Sequence, residues 1–144
     1  TKKNIMSNLS NDFVPYKESL ELKELGFNEK CYGHYDSIGE LNTIEDYARL
    51  GANISEMLSK EFNSVSYMKE MCAAPLYQQA FRWFREKHGW VGGIKILSYS
   101  NPSPFGSEFS KGDKKCFSSR GYNSYEEAEL GALRFLIEII NNKY

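Results

Sequence analysis

The chain has 144 residues, 18 Lys/Arg against 19 Asp/Glu for a net charge of −1, and 41% hydrophobic with 26% charged residues. That balance argues against wholesale disorder and predicts a soluble protein with its own hydrophobic core, organised as a loose arm over residues 1–12 and a single α+β domain over 13–144. No apolar run reaches bilayer-spanning length, since Leu130 to Ile140 is interrupted by Arg134 and Glu138, and no membrane association is expected.

The first twelve residues are polar and lack periodicity. Pro15 suits a first helical position and Gly26 a left-handed helix end, which predicts one helix between them with Tyr16, Leu20, Leu22 and Leu25 on its apolar side and Phe27 folding back on the last turn. Cys31 to Tyr35 reads as a short strand followed by an Asp36-Ser37-Ile38-Gly39 turn. From Thr43 to Phe62 the spacing suggests two short helices, the first capped by Thr43 with Asp46, and Val65 to Cys72 reads as another strand. A middle helix is expected to open at Ala73-Ala74-Pro75 and to close at Gly89.

Trp90 to Tyr99 alternates as a half-buried strand does, and Asn101-Pro102-Ser103-Pro104 ends it. Two further strands, near Phe105–Ser110 and Lys114–Ser119, flank the turn Lys111-Gly112-Asp113, giving an antiparallel meander. Ser124-Tyr125-Glu126-Glu127 has the form of a capping box and opens a long last helix, with Ala128, Gly131 and Ala132 as a small-residue strip and Leu133, Leu136, Ile137 and Ile140 on the buried side. The expected fold class is therefore α+β: a short antiparallel sheet of about three to five strands against a long C-terminal helix and a central aromatic helix.

Chemistry-bearing motifs are sparse. The chain has no GxxxxGK, GxSxG or HExxH, and the Gly92-Gly93 pair lacks the strand–turn–helix context of a dinucleotide fold, so an enzyme is not expected. Cys31, Cys72 and Cys116 stand far apart with no CxxC spacing, which predicts free thiols in a cytoplasmic setting. Cys31 and His34 have ligand-like spacing, but Cys72, His88 and Cys116 are too scattered to complete a zinc set, and neither metal nor cofactor is expected.

Charge and aromatic content single out one region. Residues 1–74 carry eight Lys/Arg against twelve Asp/Glu, whereas residues 75–123 carry eight against three. The aromatic share is 15%. The middle helix opens on Ala73 and Ala74 rather than on a capping side chain, and helix N-termini bind anions. Guanidinium groups grip phosphate and rings stack on bases, so a small anionic, nucleotide-like ligand is expected. Arg82, Arg85 and Lys95 or Arg120 would meet phosphates, Tyr77, Trp83 or Trp90 would stack, and Gln78 would read a polar edge. The same Trp, Tyr and Arg content also suits a protein interface, and an enzyme acting on nucleotides is the third alternative.

Phe13-Val14-Pro15-Tyr16 with Glu21 to Phe27, then Ala74 to Lys87, then Tyr125 to Leu130, resemble an uncharacterised family of small bacteriophage and gut-bacterial proteins. The resemblance implies a phage-type, anti-defence binding protein in the host cytoplasm, a homo-oligomer sequestering a nucleotide signal. The C-terminal half is also similar in outline to a double-stranded RNA-binding domain. Glu126, Glu127 and Glu129 stand where that family presents lysines, so long nucleic acid is not an expected partner.

Overall fold

The structure, a computed structural model, describes residues 10–51, 62–65, 68–98, 102–113 and 115–142. The chain divides into two compact units, Thr1–Leu76 and Tyr77–Tyr144. The secondary structure is α+β in each, with one three-stranded antiparallel sheet apiece.

In the first unit, Pro15 precedes helix α1 (Tyr16–Glu24), and Gly26 at φ 98° lets the chain leave it. The Phe27 amide then donates to the Leu22 carbonyl at 2.9 Å, and its ring is buried, which is the fold-back expected of a residue just past a left-handed glycine. Strands β1 (Gly33–Tyr35) and β2 (Leu41–Thr43) form a hairpin. In its turn Asp36 Oδ1 accepts from the amides of Ile38 and Glu40 at 3.0 and 2.9 Å, bonds that hold the Asp36 carboxyl below its ordinary pKa. Helices α2 (Ile44–Arg49) and α3 (Phe62–Val65) follow, then β3 (Cys72–Ala74), giving the sheet order β2-β1-β3.

Two expectations are corrected here. The strand expected at Val65 to Cys72 lies instead at Cys72–Ala74; Val65 ends α3, and residues 66–67 are outside the described set. Ala73 and Ala74 therefore belong to a β-ladder, opposite His34 and Gly33, rather than to a helix start. The Ala73 amide is met by Asn63 Oδ1 at 2.8 Å, while Asn63 Nδ2 donates to the Phe27 carbonyl at 2.7 Å. Short buried apolar runs read alike as strand or helix, and here the partner strand decides.

The two faces of this sheet differ. On one, Tyr35, Cys72 and Ala74 pack with Phe13, supported by Tyr16, Leu20, Leu41 and Leu76. Burial pushes the Cys72 thiol and the Tyr35 hydroxyl each up to about 12. On the other face the His34 ring stacks on Phe62, with centroids 4.3 Å apart, and meets Tyr47 through its Nδ1 edge, with centroids 5.3 Å apart.

The second unit runs α4 (Tyr77–His88), β4 (Val91–Ile96), β5 (Phe105–Lys111), β6 (Lys115–Tyr122) and α5 (Tyr125–Asn141). Its strands form the meander β4-β5-β6, and both helices contact the sheet, α5 touching all three strands. The Lys111-Gly112-Asp113 turn is present, with Gly112 at φ 60°. Gly121 at φ 92° is the extra residue of a bulge between the Phe105–Tyr122 and Gly106–Arg120 pairs. Ser124 Oγ accepts from the Glu127 amide at 3.1 Å as expected, but Glu127 reaches back to the amide of Asn123 rather than that of Ser124. Phe84, Trp90, Phe109, Leu133, Leu136 and Ile137 are the largest fully buried side chains here.

Candidate functional site

The aromatic residues expected to stack on a ligand are spent on packing. Tyr77 and Trp83 are 5% and 4% exposed and Trp90 is 1% exposed. Trp83 stands edge-on to Phe84 and to His88, with centroids 5.1 and 4.9 Å away, and Trp90 packs against Phe117 at 5.3 Å. The face of α4 carrying Tyr77, Ala80, Phe81, Trp83 and Phe84 is its buried face. Periodicity identifies which residues share a face, but not whether that face meets core or solvent.

The polar members of the expected set sit elsewhere. Gln78, Arg82 and Arg85 are exposed, and their i, i+4, i+7 spacing places them along one side of α4. Lys95 and Arg120 lie opposite Gly106 on neighbouring strands, in one row across the sheet. Lys95 Nζ is 2.6 Å from Glu108 Oε2, so its charge already has a partner. The expected residues therefore fall into two cationic surfaces, the α4 side and the Lys95–Arg120 row, with Tyr77, Trp83 and Trp90 buried.

A concave site is found in the first unit instead. A cleft of about 450 Å³ is walled by Phe13, Tyr32, Leu41, Ile44 and Leu76, with Ser10, Asp12, Thr43, Glu45 and Asp46 as its polar lining. Local structure builds it. Phe13 forms a β-bridge with Leu76, and the Val14 amide donates to the Pro75 carbonyl at 2.8 Å, which fixes one wall. Gly33 lies beneath: a β-carbon there would stand 3.0 Å from the Asn42 carbonyl oxygen, 3.2 Å from the Phe13 ring and 3.3 Å from Leu41. A glycine lets Phe13 and Leu41 close over the strand.

The opposite wall is the junction of β2 with α2. Asp46 Oδ2 accepts from the Thr43 amide at 2.8 Å and the Thr43 hydroxyl at 3.2 Å, so the Thr43/Asp46 cap read from the sequence is present and positions Ile44 and Glu45 at the rim. Asp12 and Glu45 are exposed. Among the described residues, none that lines the cleft is Lys, Arg or His.

Sequence reasoning missed this cleft because its residues come from four separated stretches, at 10–13, 32, 41–46 and 76. The legible signal was the Thr43/Asp46 cap, which marks where β2 gives way to α2. His34, on the other face of the sheet, has its Nδ1 hydrogen-bonded to the Tyr47 hydroxyl, and burial lowers its pKa against the opposing pull of Asp36 and Asp46. Among the described residues no group of three His, Cys, Asp or Glu is arranged to hold a metal ion, and no helix is long and apolar enough to cross a membrane.

Comparisons with family models, with curated proteins and with solved structures find no match to this chain.

Proposed function

We propose that this protein is a non-enzymatic binding protein whose ligand site is the cleft bounded by Phe13, β2, the start of α2 and Leu76. The single supporting observation is the cleft itself: about 450 Å³, with Phe13, Tyr32, Leu41, Ile44 and Leu76 as its apolar walls and polar residues contributed from both the 10–12 and the 43–46 stretches. Those are the dimensions and lining of a site that takes a small molecule or a short segment of chain. Phe13 and Leu76 are held by backbone pairing, so the walls exist before a ligand arrives.

A second reading retains an anionic, nucleotide-type ligand and a phage-type sequestering role. It is favoured by the exposed Gln78, Arg82 and Arg85 along one side of α4, where two guanidinium groups lie one turn apart. The neighbouring rings of Tyr77 and Trp83 are buried, so what this side of α4 presents is charge and hydrogen bonds.

One titration separates the two. Nile red, a neutral solvatochromic dye, is expected to brighten on mixing with the protein and to lose that response in Ile44→Trp, which fills the cleft. In parallel, a panel of cyclic and ADP-ribose nucleotides is scored by melting shift on wild type and on Arg82→Ala/Arg85→Ala. A dye response that Ile44→Trp leaves unchanged would remove the cleft reading. The absence of any nucleotide shift would remove the second.

A further inference from the structure

We infer that the occupant of the cleft is an extended, basic–apolar peptide that adds to the outer edge of β2; the inference rests on the binding role proposed for that cleft. Three independent features converge. First, β2 is an edge strand: the sheet order is β2-β1-β3, and among the described residues β2 pairs with β1 alone. In an antiparallel ladder, successive residues turn their amide and carbonyl alternately towards and away from the neighbour. The Glu40 carbonyl turns inwards and accepts from Asp36 N at 3.0 Å, whereas the Thr43 amide turns aside to Asp46. Leu41, between them, directs its amide and carbonyl away from β1. Among the described residues no strand takes up that donor and acceptor, and an open sheet edge is what β-strand addition uses.

Second, the Leu41 side chain also lines the cleft. A strand paired at Leu41 places the residue opposite it on the same face, so that residue's side chain enters the apolar space. A free small amine or a lipid would leave the Leu41 backbone groups unmatched. Third, the described lining carries Asp12, Glu45 and Asp46 and, among the described residues, no basic side chain. Asp46 Oδ2 is engaged by Thr43, leaving Asp12 and Glu45 at the rim for a Lys or Arg of the partner. Strand geometry repeats a face every second residue, so the recognised pattern is one apolar side chain with a Lys or Arg two positions away. Phosphate-bearing partners are disfavoured by the same carboxylates.

The test uses the full chain and a positional-scanning library of fluorescein-labelled hexapeptides read by anisotropy. Selected peptides should carry an apolar residue and a Lys or Arg two positions apart. N-methylation of the backbone amide at the apolar position should weaken the best peptide about tenfold, the scale of one lost hydrogen bond plus the methyl's steric cost. Glu45→Lys should weaken it similarly, and the loss should be recovered by a peptide with Glu in place of its basic residue. Selection of acidic peptides, or indifference to N-methylation, overturns the inference. If Nile red still reports the cleft but no peptide is selected, the peptide inference falls while the binding role stands; if neither binds, both fall.

Discussion

His34 occupies a position where ring chemistry and charge are in tension. It stacks on Phe62 and is hydrogen-bonded to the Tyr47 hydroxyl, and burial favours its neutral form more strongly than Asp36 and Asp46 favour its cation. Its folded-state pKa therefore lies below the value near 6.5 of an unfolded chain. A depressed pKa means that the unfolded state takes up the proton first as pH falls. The stabilisation is thus complete above about pH 6.5 and is lost as pH falls through the folded-state value. Melting scans at stepped pH between neutral and mildly acidic are expected to show Tm dropping by a few degrees. His34→Phe, which keeps a ring on Phe62 and cannot titrate, gives up the Tyr47 hydrogen bond at every pH but should flatten part of that drop. The remainder includes His88, whose pKa burial and Lys111 also lower. An equal drop in the variant would show that His34 is not the source.

At the scale of elements, the adjacent glycines Gly92 and Gly93 play different parts. A β-carbon on Gly92 would collide with the Glu108 carbonyl oxygen and stand 2.7 Å from the Phe109 α-carbon, so β4 and β5 approach there as only a glycine allows. Gly93 has open space at the same position. Gly92→Ala is expected to destabilise by about 1–3 kcal/mol, the usual cost of forcing atoms into packed space. Gly93→Ala should stay within about 0.5 kcal/mol of wild type. Paired denaturant titrations measure both, and equal effects would mean that the strand approach does not matter. The pair was legible in the sequence only as something other than a dinucleotide loop. Elements announced by local chemistry were readable: α1 from Pro15 and Gly26, the meander from Lys111-Gly112-Asp113, α5 from Ser124 and Glu127. The three-residue β2 and β3 carry no periodicity of their own and exist through pairing with β1. The aromatic side of α4 is visible in the sequence as a band, but its direction is not: Tyr77 and Trp83 on that helix, and Trp90 just beyond it, are buried in the core rather than exposed to a ligand.

For the whole molecule, the two units each own a buried core. Tyr77–Tyr144 contains Phe84, Trp90, Phe109, Leu133, Leu136 and Ile137, all buried, and a complete three-stranded sheet with two helices. A domain of about 60 residues is near the lower size limit for folding alone, and this one has the aromatic volume to do so. The fragment 77–144 is expected to show helical circular dichroism and a cooperative melt, with dispersed amide signals in its NMR spectrum. A non-cooperative melt would show that its core is incomplete without residues 1–76. Charge follows the same division, since residues 1–76 carry 8 Lys/Arg against 12 Asp/Glu and residues 77–144 carry 10 against 7. The composition forecast an anion-binding centre in the basic half, whereas the cleft lies in the acidic half. A candidate site assembled from residues 10–13, 32, 41–46 and 76 depends on long-range closure, which a pass along the chain does not disclose.

Asn63 carries a consequence out of proportion to its size. Its carboxamide gives a hydrogen to the Phe27 carbonyl and takes one from the Ala73 amide, tying together stations 46 residues apart along the chain. Turning the amide end for end would set oxygen against oxygen and hydrogen against hydrogen, so the rivet fits in one orientation. Aspartate would lack the hydrogen to give, leucine would lack both functions, and serine would be too short to span the gap. Genetic drift at this position is thereby confined by bonding logic rather than by space.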